Sequence, residues 1–397
     1  MLVAGGCYRE HCLWPARDAI FGSGGRAAAA ISALSHGTQL VSYAFSGWAA
    51  DVRASMCAFG VTAVLTEIPL DIGFRYVHSL AQPTLEPEVV PPQKALDACA
   101  EVVLRFGFIE GDAVVQAKRA IYDPQGTADL TSFRENGSTA DALAVVLNEE
   151  QLHAASRTSE IESGARRVLG EWSADIVVVK AGIRGAFVVE PSAAIVTIPA
   201  YWSERVFKLG SGDVFSAVFA HHWGERHAPA SDAADIASRA VSAYVEDRGL
   251  PVPSQFVLSG RHPIPTATQS GRIYLAGPFF DVAQRWRIEE TRDWLNALGA
   301  KVFSPLHEVG VSDDDVYIAT SDLNGLKECT AVLAVLDGND PGTIFEVGFA
   351  RALGIPVVVL AESASTRSDL TMFRGSGCEV VDDYASALYR AAWAAQR

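Results

Sequence analysis

The run RIYLAG at residues 272–277 decides the fold of the C-terminal part of this chain. It is short and apolar and leads into a Gly-Pro turn, as is typical of a buried strand that ends at a loop. Similar runs follow it: AKVFSP (300–305), AVLAVLD (331–337), IPVVVLA (355–361) and CEVV (378–381). Helical stretches fill the gaps, at Asp281 to Leu298, Ile344 to Leu353 and Tyr384 to Ala395. This alternation predicts a doubly wound parallel sheet of five strands.

The residues before this part alternate in the same way. A β-branched run at 174–179 precedes Gly182, and residues 230–246 carry apolar side chains at helical spacing. Between them and the C-terminal part lies PVPSQFVLSGRHPIPTATQSG (251–271), which contains four prolines and is the best linker candidate. We therefore predict an α/β protein of two doubly wound domains, residues 1–252 and residues 271–397, joined by a linker at 253–270. The second and smaller domain is predicted to be flavodoxin-like.

Composition narrows the possible partners and surroundings. The chain has 397 residues and a formal net charge of −15, with no run of Lys and Arg, which argues against a nucleic acid polymer as partner. The six cysteines are scattered and lack metal-ligand spacing, which is typical of a reducing cytosol. The start MLVAGG resembles a strand, and the alanine-rich stretches are too short to cross a bilayer. We therefore predict a cytoplasmic protein without membrane segments. No metal site is predicted, since His221, His222 and His227 fall on different faces of a helix and its exit.

Polar side chains lie close to the ends of the C-terminal strands. Tyr274 precedes the turn at 276–278, and Glu346 lies in the helix after the third strand. Further carboxylates accompany them: Asp322, Asp337 and Asp340. Because parallel strands end at one edge of a sheet, we expect these groups to converge there.

Cleavage of a glycosidic bond needs such a set of groups. One carboxylate must attack or stabilise the anomeric carbon, while another group handles the proton of the leaving group. We expect Glu346 in the first turn of its helix, where the positive end of the helix dipole would hold it ionised. An ionised carboxylate suits a nucleophile better than an acid.

The motifs YLAGPFF (274–280), SDLNGLK (321–327) and DPGTIFEVGFA (340–350), followed by an apolar strand, resemble the nucleoside 2-deoxyribosyltransferase family and its nucleotide N-glycosidase relatives. The resemblance implies that Glu346 forms the glycosyl-enzyme and that Asp322 exchanges a proton with the base. It also implies that Asp340 helps to hold the sugar and that Tyr274 lies beside the nucleophile. No cofactor is implied for this chemistry.

The same resemblance assigns substrate binding to further positions: Gly277, Pro278, Gly342, Thr343 and Met372. Met372 resembles a methionine that a neighbouring subunit lends to the site, which implies a homo-oligomer. Leu370 stands where transferases of the family have Asn, so the choice between a nucleoside and a nucleotide substrate stays open. The motifs also leave open whether water or a second base completes the reaction.

A second motif lies in the N-terminal domain. KLGSGDVF (208–215) places a Gly-rich turn before an apolar helix, so that backbone N–H groups of Gly210, Ser211 and Gly212 can hold an anion. Asp213, at the same turn, can act as the base on a substrate hydroxyl during phosphoryl transfer.

This motif follows IYDPQ (121–125), VVLNEEQ (145–151) and VVVKAGIRGAFVV (177–189), in an order that resembles the ribokinase-like (PfkB) family of sugar and nucleoside kinases. The resemblance implies Asp213 as catalytic base, 210–212 as anion hole, and ATP and Mg²⁺ as cofactors. It places Asn148 in a motif linked to magnesium and phosphate, and Glu10 where the family has a substrate-gripping Asp on the first strand.

The chain departs from the kinase pattern at several positions. Phe207 and Lys208 replace an Asp and a Thr or Ser, Gln151 replaces a Glu, and Ala27 replaces an Asn. The leading hypothesis is an enzyme that cleaves or transfers the N-glycosidic bond of a nucleoside or nucleotide, fused to a domain that phosphorylates or senses a sugar, nucleoside or nucleotide. The alternative is a nucleotide-depleting N-glycosidase regulated by a catalytically dead nucleotide sensor.

Overall fold

The structure is a computed structural model that describes residues 1–127, 130–265, 271–336, 338–362 and 369–396. The chain divides into two compact units: unit 1, Met1–Ser203 with Phe207–Pro263, and unit 2, Glu204–Val206 with Ile264–Arg397. The predicted linker at 253–270 contains a short helix, and its residues 266–270 lie outside the described part. No helix of the described residues is both long and apolar enough to cross a membrane.

Unit 1 is built on two sheets. Its strands are β1 (Leu2–Ala4), β2 (Arg9–Trp14), β3 (Arg17–Ile20), β4 (Gln39–Phe45), β5 (Thr62–Ile68), β6 (Gly73–His78), β7 (Thr84–Glu86), β8 (Leu96–Phe106), β9 (Ala113–Asp123), β10 (Thr139–Asn148), β11 (Ile176–Lys180), β12 (Ala186–Val189) and β13 (Val196–Ile198). The large sheet has the order β13-β12-β11-β10-β9-β8-β1-β4-β5, and within it β12 runs antiparallel to both neighbours. The small sheet has the order β3-β2-β6-β7.

Helices connect these strands and cover the large sheet. They are α1 (Gly22–Ile31), α2 (Ala49–Ala58), α3 (Glu149–Ser156), α4 (Ile161–Glu171), α5 (Ser211–Phe219), α6 (Ala230–Asp247) and α7 (Gln255–Leu258). A single π-helical turn, Ala220–Glu225, continues α5. All ten residues of α1 are buried, because its small side chains allow close packing against the sheet and against α5.

Unit 2 is built on one parallel sheet. Its strands are β14 (Arg272–Ala276), β15 (Lys301–Phe303), β16 (Ala331–Val335), β17 (Val357–Leu360) and β18 (Glu379–Val381). Its helices are α8 (Val282–Ala297), α9 (Pro305–Glu308), α10 (Asp315–Lys327), α11 (Pro341–Ala352), α12 (Thr371–Gly375) and α13 (Tyr384–Ala395). The order β15-β14-β16-β17-β18 is flavodoxin-like, and its strand order reverses between β14 and β16. The predicted α/β fold of both units is confirmed.

Local sequence explains why these elements form. Strands β16 and β17 are buried along their whole length, which is why they appear as unbroken apolar runs. Aspartate side chains cap the N-termini of four of the helices, accepting a hydrogen bond from the backbone three residues on. These caps are Asp281 for α8, Asp314 for α10, Asp340 for α11 and Asp383 for α13.

One glycine determines how closely α10 approaches the sheet. A Cβ on Gly325 would lie 2.1 Å from the ring of Phe303, at the end of β15. That ring stacks on Tyr274 of β14, with centroids 5.4 Å apart and an angle of 12° between the planes. Gly325 therefore allows α10, which carries Asp322, to lie directly on the aromatic pair beneath the predicted site.

We expect Gly325→Ala to lower the free energy of unfolding by about 1–3 kcal/mol, because the added methyl group overpacks the contact with Phe303. Gly348→Ala is the matched control, since Gly348 also lies inside a helix of unit 2 but its Cβ would meet no atom within 4 Å. The control should be neutral or stabilise by up to about 1 kcal/mol, because alanine favours a helix more than glycine does. Thermal or urea unfolding of the full chain measures both, and equal effects of the two changes would contradict the packing argument.

Candidate functional site

The centre of the site in unit 2 is a hydrogen bond between Tyr274 and Glu346. The Tyr274 side chain is fully buried, and its hydroxyl donates to Oε1 of Glu346 at 2.6 Å. Burial, together with the charge of Glu346, raises the pKa of Tyr274 well above its usual value, so the phenol stays protonated as a donor. Oε2 of Glu346 receives no hydrogen bond from the described residues, and Glu346 is partly accessible.

The predicted position of Glu346 in the first helical turn is wrong. Helix α11 begins at Pro341 rather than Ile344, because Asp340 caps it and proline fits the first helical position. Glu346 therefore lies in the second turn, where the helix dipole has little effect. Burial raises its pKa to about 7; the hydrogen bond from Tyr274 lowers the value, and the charges of Asp322 and Asp340 raise it.

Asp322 is the second unusual carboxyl group of unit 2. It lies on α10, where its Oδ1 is buried and has no hydrogen-bond partner among the described residues. Burial raises the pKa of this carboxyl to about 6. An oxygen left in that state is poorly stabilised by the protein alone and is suited to exchange a proton with a ligand.

Asp340 and Thr343 form one local unit at the start of α11. Oδ2 of Asp340 accepts from the backbone N–H of Thr343 at 2.7 Å and from its hydroxyl at 2.8 Å. Thr343 is buried, whereas Gly342 is exposed beside the same carboxylate. Because both bonds go to Oδ2, Oδ1 of Asp340 is left for a ligand.

The other predicted substrate-binding positions of unit 2 differ in their packing and exposure. Gly277 and Pro278 follow β14, and a Cβ on Gly277 would lie 2.8 Å from the side chain of Ile288, so the turn packs closely on α8. Met372, on α12, is 78% exposed, while Leu370 is buried in the core of the unit. Asp337 lies outside the described residues.

The site predicted in unit 1 is occupied by an arginine that the sequence interpretation overlooked. Nη1 of Arg26 donates to Oδ2 of Asp213 at 2.8 Å and to Oε1 of Glu10 at 3.0 Å, and Nη2 donates to the other oxygen of Glu10. The Arg26 side chain is 2% exposed. A Cβ on Gly210 would lie 2.1 Å from Nε of Arg26, so the guanidinium lies directly against the GSGD turn.

The pKa values of Arg26 and Asp213 reflect the buried ion triad that these residues form with Glu10. Burial alone would lower the pKa of Arg26, but the charges of Glu10 and Asp213 outweigh it and hold the pKa above its usual value. Burial raises the pKa of Asp213 to about 6, against the opposing effect of Arg26. The sequence does contain a signal for this ion pair: Arg26 is the single charged residue in the small and apolar run GSGGRAAAAI, and a charge buried in such a helix needs an ion-pair partner.

Glu10 was predicted at the first strand, and this placement is wrong. The first strand is β1, which ends at Ala4, and Glu10 lies on β2 of the small sheet. The buried start MLVAGG has only three residues in strand conformation before the chain turns towards the second sheet. Glu10 is buried, and the structure brings it together with Asp213 through Arg26.

The GSGD turn itself has the predicted position. Gly210 is the N-cap of α5, with a left-handed φ of 80°, and Ser211, Gly212 and Asp213 form the first turn of that helix. Lys180, at the end of β11, lies near Gly212 and forms an ion pair with the buried Asp123 at 2.6 Å. This basic side chain beside the turn was also missed from the sequence.

Asn148 belongs to a helix cap. Its side chain accepts from the backbone N–H of Gln151, and the Gln151 side chain accepts from the backbone N–H of Asn148, each at 2.8 Å. The pair forms a capping box at the start of α3. Both side chains are thus engaged in holding the helix end. Among the described residues no three His, Cys, Asp or Glu side chains are arranged to hold a metal ion.

Comparison with known proteins finds a family match for unit 2. Residues 273–382 match the family model described as "Nucleoside 2-deoxyribosyltransferase". Comparison with curated proteins gives no match.

Several similar solved structures are kinases. A ribokinase from Thermotoga maritima is 16% identical, with 65% of this chain and 97% of that chain covered and a TM-score of 0.48. Phosphofructokinase-2 from Escherichia coli is 15% identical, with coverage of 65% and 96% and a TM-score of 0.48. A pyrophosphate-dependent kinase in the ribokinase family is 14% identical, with coverage of 65% and 99% and a TM-score of 0.47. The comparisons thus find both resemblances predicted from the sequence: a nucleoside 2-deoxyribosyltransferase domain at residues 273–382, and ribokinase-family kinases as structural neighbours of the larger N-terminal part.

Proposed function

We propose that unit 2 cleaves or transfers the N-glycosidic bond of a nucleoside or nucleotide through a covalent glycosyl intermediate on Glu346. The observation that carries this proposal is the hydrogen bond from the buried Tyr274 hydroxyl to Oε1 of Glu346. It fixes one carboxylate oxygen and leaves Oε2 for attack, as a nucleophile requires. The family match of residues 273–382 supports the same chemistry.

The proposed reaction has two steps. Oε2 of Glu346 forms a bond to the anomeric carbon, while the bond from that carbon to the base nitrogen breaks and its electron pair moves to the base. The protonated carboxyl of Asp322 supplies a proton to the leaving base. In the second step water or a second base attacks the anomeric carbon, its proton passes to Asp322, and Glu346 is released.

The protonation states required for this reaction are not the dominant ones. Glu346 must be ionised and Asp322 protonated, yet the pKa of Glu346 is about 7 and that of Asp322 about 6. At neutral pH about half of the molecules therefore have Glu346 protonated, and only a small fraction combine ionised Glu346 with protonated Asp322. Because the two groups affect each other, the pair titrates as a unit. Substrate that excludes water and brings a basic nitrogen to Asp322 would redistribute the proton.

For unit 1 the structure favours a binding role over phosphoryl transfer. Asp213 can serve as a base only if it faces a substrate hydroxyl within hydrogen-bond distance. Here its Oδ2 accepts from Arg26, whose guanidinium lies against the GSGD turn where the acceptor would have to approach. We therefore propose that unit 1 binds a sugar, nucleoside or nucleotide without phosphorylating it. A kinase that uses ATP and Mg²⁺ remains the competing function.

Replacing the nucleophile should abolish base release. We expect Glu346→Ala to lower base release from a panel of nucleosides and 5′-monophosphates by roughly 10⁴-fold or more, because no other group can form the glycosyl-enzyme. Glu328→Ala is the control, since Glu328 is an exposed glutamate of the same unit. Chromatography with and without an added second base also separates hydrolysis from exchange. Equal base release by wild type and Glu346→Ala would refute the proposal.

The pH dependence should be bell-shaped, with an optimum of kcat/KM between pH 6 and 7, midway between the pKa values of Asp322 and Glu346. Tyr274→Phe removes a hydrogen bond that favours the ionised form of Glu346, so the pKa of Glu346 rises. The optimum should then move to higher pH and the maximum should fall, because fewer molecules combine ionised Glu346 with protonated Asp322. A Tyr274→Phe optimum that stays in place or moves to lower pH would count against this assignment.

We expect no phosphorylation of ribose or a nucleoside by the full chain with ATP and Mg²⁺, and no change in background ATP consumption in Asp213→Asn. The physical reason is that Arg26 holds Asp213 away from any acceptor hydroxyl. Mass spectrometry of the products and coupled ADP detection measure both. Phosphorylation by the wild type that is lost in Asp213→Asn would establish the kinase function instead.

A further inference from the structure

Two arginines of unit 1 lie over the same aromatic ring. The guanidinium carbon of Arg17, on β3, is 5.5 Å from the ring centroid of Phe207, and that of Arg248 is 5.1 Å from it. Phe207 is buried, and its backbone N–H donates to the carbonyl of Val245 at 2.8 Å. The ring is therefore held in place by the backbone, both guanidinium groups approach it, and the charge of Arg248 acts on Arg17.

Among the described residues no carboxylate oxygen lies within ion-pair distance of Arg17 or Arg248, although both are only partly exposed. Nε of Arg17 is buried and has no hydrogen-bond partner. Burial lowers the pKa of Arg17 and the charges of Arg26 and Arg248 lower it further, against the opposing effects of Tyr244 and Glu10. Two like charges held together without a counter-charge are costly unless an anion joins them.

The nearby carboxylates cannot serve as that anion. Glu10 and Asp213 are engaged by the guanidinium of Arg26, which both of them contact. Arg26 is nearly fully buried, and its own Nε has no hydrogen-bond partner in the described part of the chain. Glu10 and Asp213 are thus paired with Arg26, whereas Arg17 and Arg248 form no ion pair in the described part of the chain.

The backbone holds Arg248 in place. It is the C-cap of α6 in a left-handed conformation, with a φ of 63°, and its N–H donates to the carbonyl of Tyr244 at 2.7 Å. The hydroxyl of the buried Tyr244 donates in turn to the carbonyl of Leu209, next to the GSGD turn. Arg248 is thereby connected to the turn through a short series of hydrogen bonds, as a positioned binding residue would be.

We propose that Arg17 and Arg248, over Phe207, bind the phosphate group of a phosphate monoester in unit 1. Guanidinium groups offer planar forks of N–H donors that match phosphate oxygens, and a dianionic group balances both charges. The proposal rests on the proposed role of unit 1 as a binding domain, and it identifies the ligand as phosphorylated before it arrives. A sugar phosphate and a nucleoside monophosphate share this group.

Isothermal titration calorimetry of the full chain tests the proposal with ribose 5-phosphate, adenosine 5′-monophosphate and inorganic phosphate as probes, and with ribose as the uncharged counterpart. The Glu346→Ala background prevents turnover of the nucleotide in unit 2. The variants are Arg17→Gln and Arg248→Gln. Arg157→Gln is the matched control, because Arg157 is the C-cap of α3 in the same left-handed conformation and is exposed.

We expect binding of at least one phosphate ester, weakened about 10-fold to 100-fold in Arg17→Gln and in Arg248→Gln but not in Arg157→Gln, which is the loss that one charged hydrogen-bonding partner causes. The ester that binds more tightly shows whether the ligand is a sugar phosphate or a nucleoside monophosphate. Three results would overturn the proposal. Ribose could bind as tightly as ribose 5-phosphate, the phosphate esters could bind both variants as tightly as the parent, or none of the probes could bind.

The same preparations separate this proposal from the proposed binding-only role of unit 1. A chain that phosphorylates ribose and still binds an ester through Arg17 and Arg248 refutes the binding-only role and supports the anion site. Melting temperatures of the variants within about 2 °C of the parent show that a loss of binding is not a loss of folding.

Discussion

The hydrogen bond between Tyr274 and Glu346 is the constraint on which the site of unit 2 depends. It joins Tyr274, which is fully buried on β14, to helix α11, and so holds the Glu346 carboxyl group in a partly buried position. The consequence is a pKa near 7, because burial outweighs the help of the phenol. A carboxyl in that state is more basic, and therefore more nucleophilic when ionised, than one in water. The fold thus holds a partly buried carboxyl group that has one hydrogen bond and no cationic partner among the described residues.

The two units solve the burial of carboxyl groups in opposite ways. In unit 1 Arg26 neutralises Glu10 and Asp213, whereas in unit 2 no cation forms an ion pair with Glu346 or Asp322 among the described residues. Perturbed groups without a protein partner are the ones that gain most from a ligand. This contrast distinguishes the two sites more clearly than the motifs do, since both units contain buried or partly buried acidic residues.

Much of unit 2 could be predicted from the sequence because buried parallel strands are unbroken apolar runs, and the residues after them share one edge. The start of α11 could not, since Pro341 and Gly342 are equally typical of a turn; only the bonds of Thr343 to Asp340 show a capped helix. Arg26 was missed for a different reason. Its partner Asp213 is 187 residues away in the chain, so no local pattern announces the pair. The role of an exposed side chain such as Met372 could not be predicted from apolar periodicity or burial, because it depends on the molecule that the side chain contacts.

The presence of Asp213 in a glycine-rich turn therefore needs no catalytic explanation. Arg26 is nearly fully buried, and Glu10 and Asp213 supply the negative charge that makes its burial tolerable; removal of both would leave an uncompensated buried charge, at a cost of about 3–5 kcal/mol in comparable buried pairs. The ion pairs alone account for the three side chains. For the same reason, removal of Arg26 would leave two carboxylates facing each other across the space it filled, which is not a phosphoryl-transfer site either. Phe207, which stands where the resemblance to kinases implies an acid, is the ring that Arg17 and Arg248 approach, so under our proposal the departures at this position and at Arg26 belong to one anion-binding site.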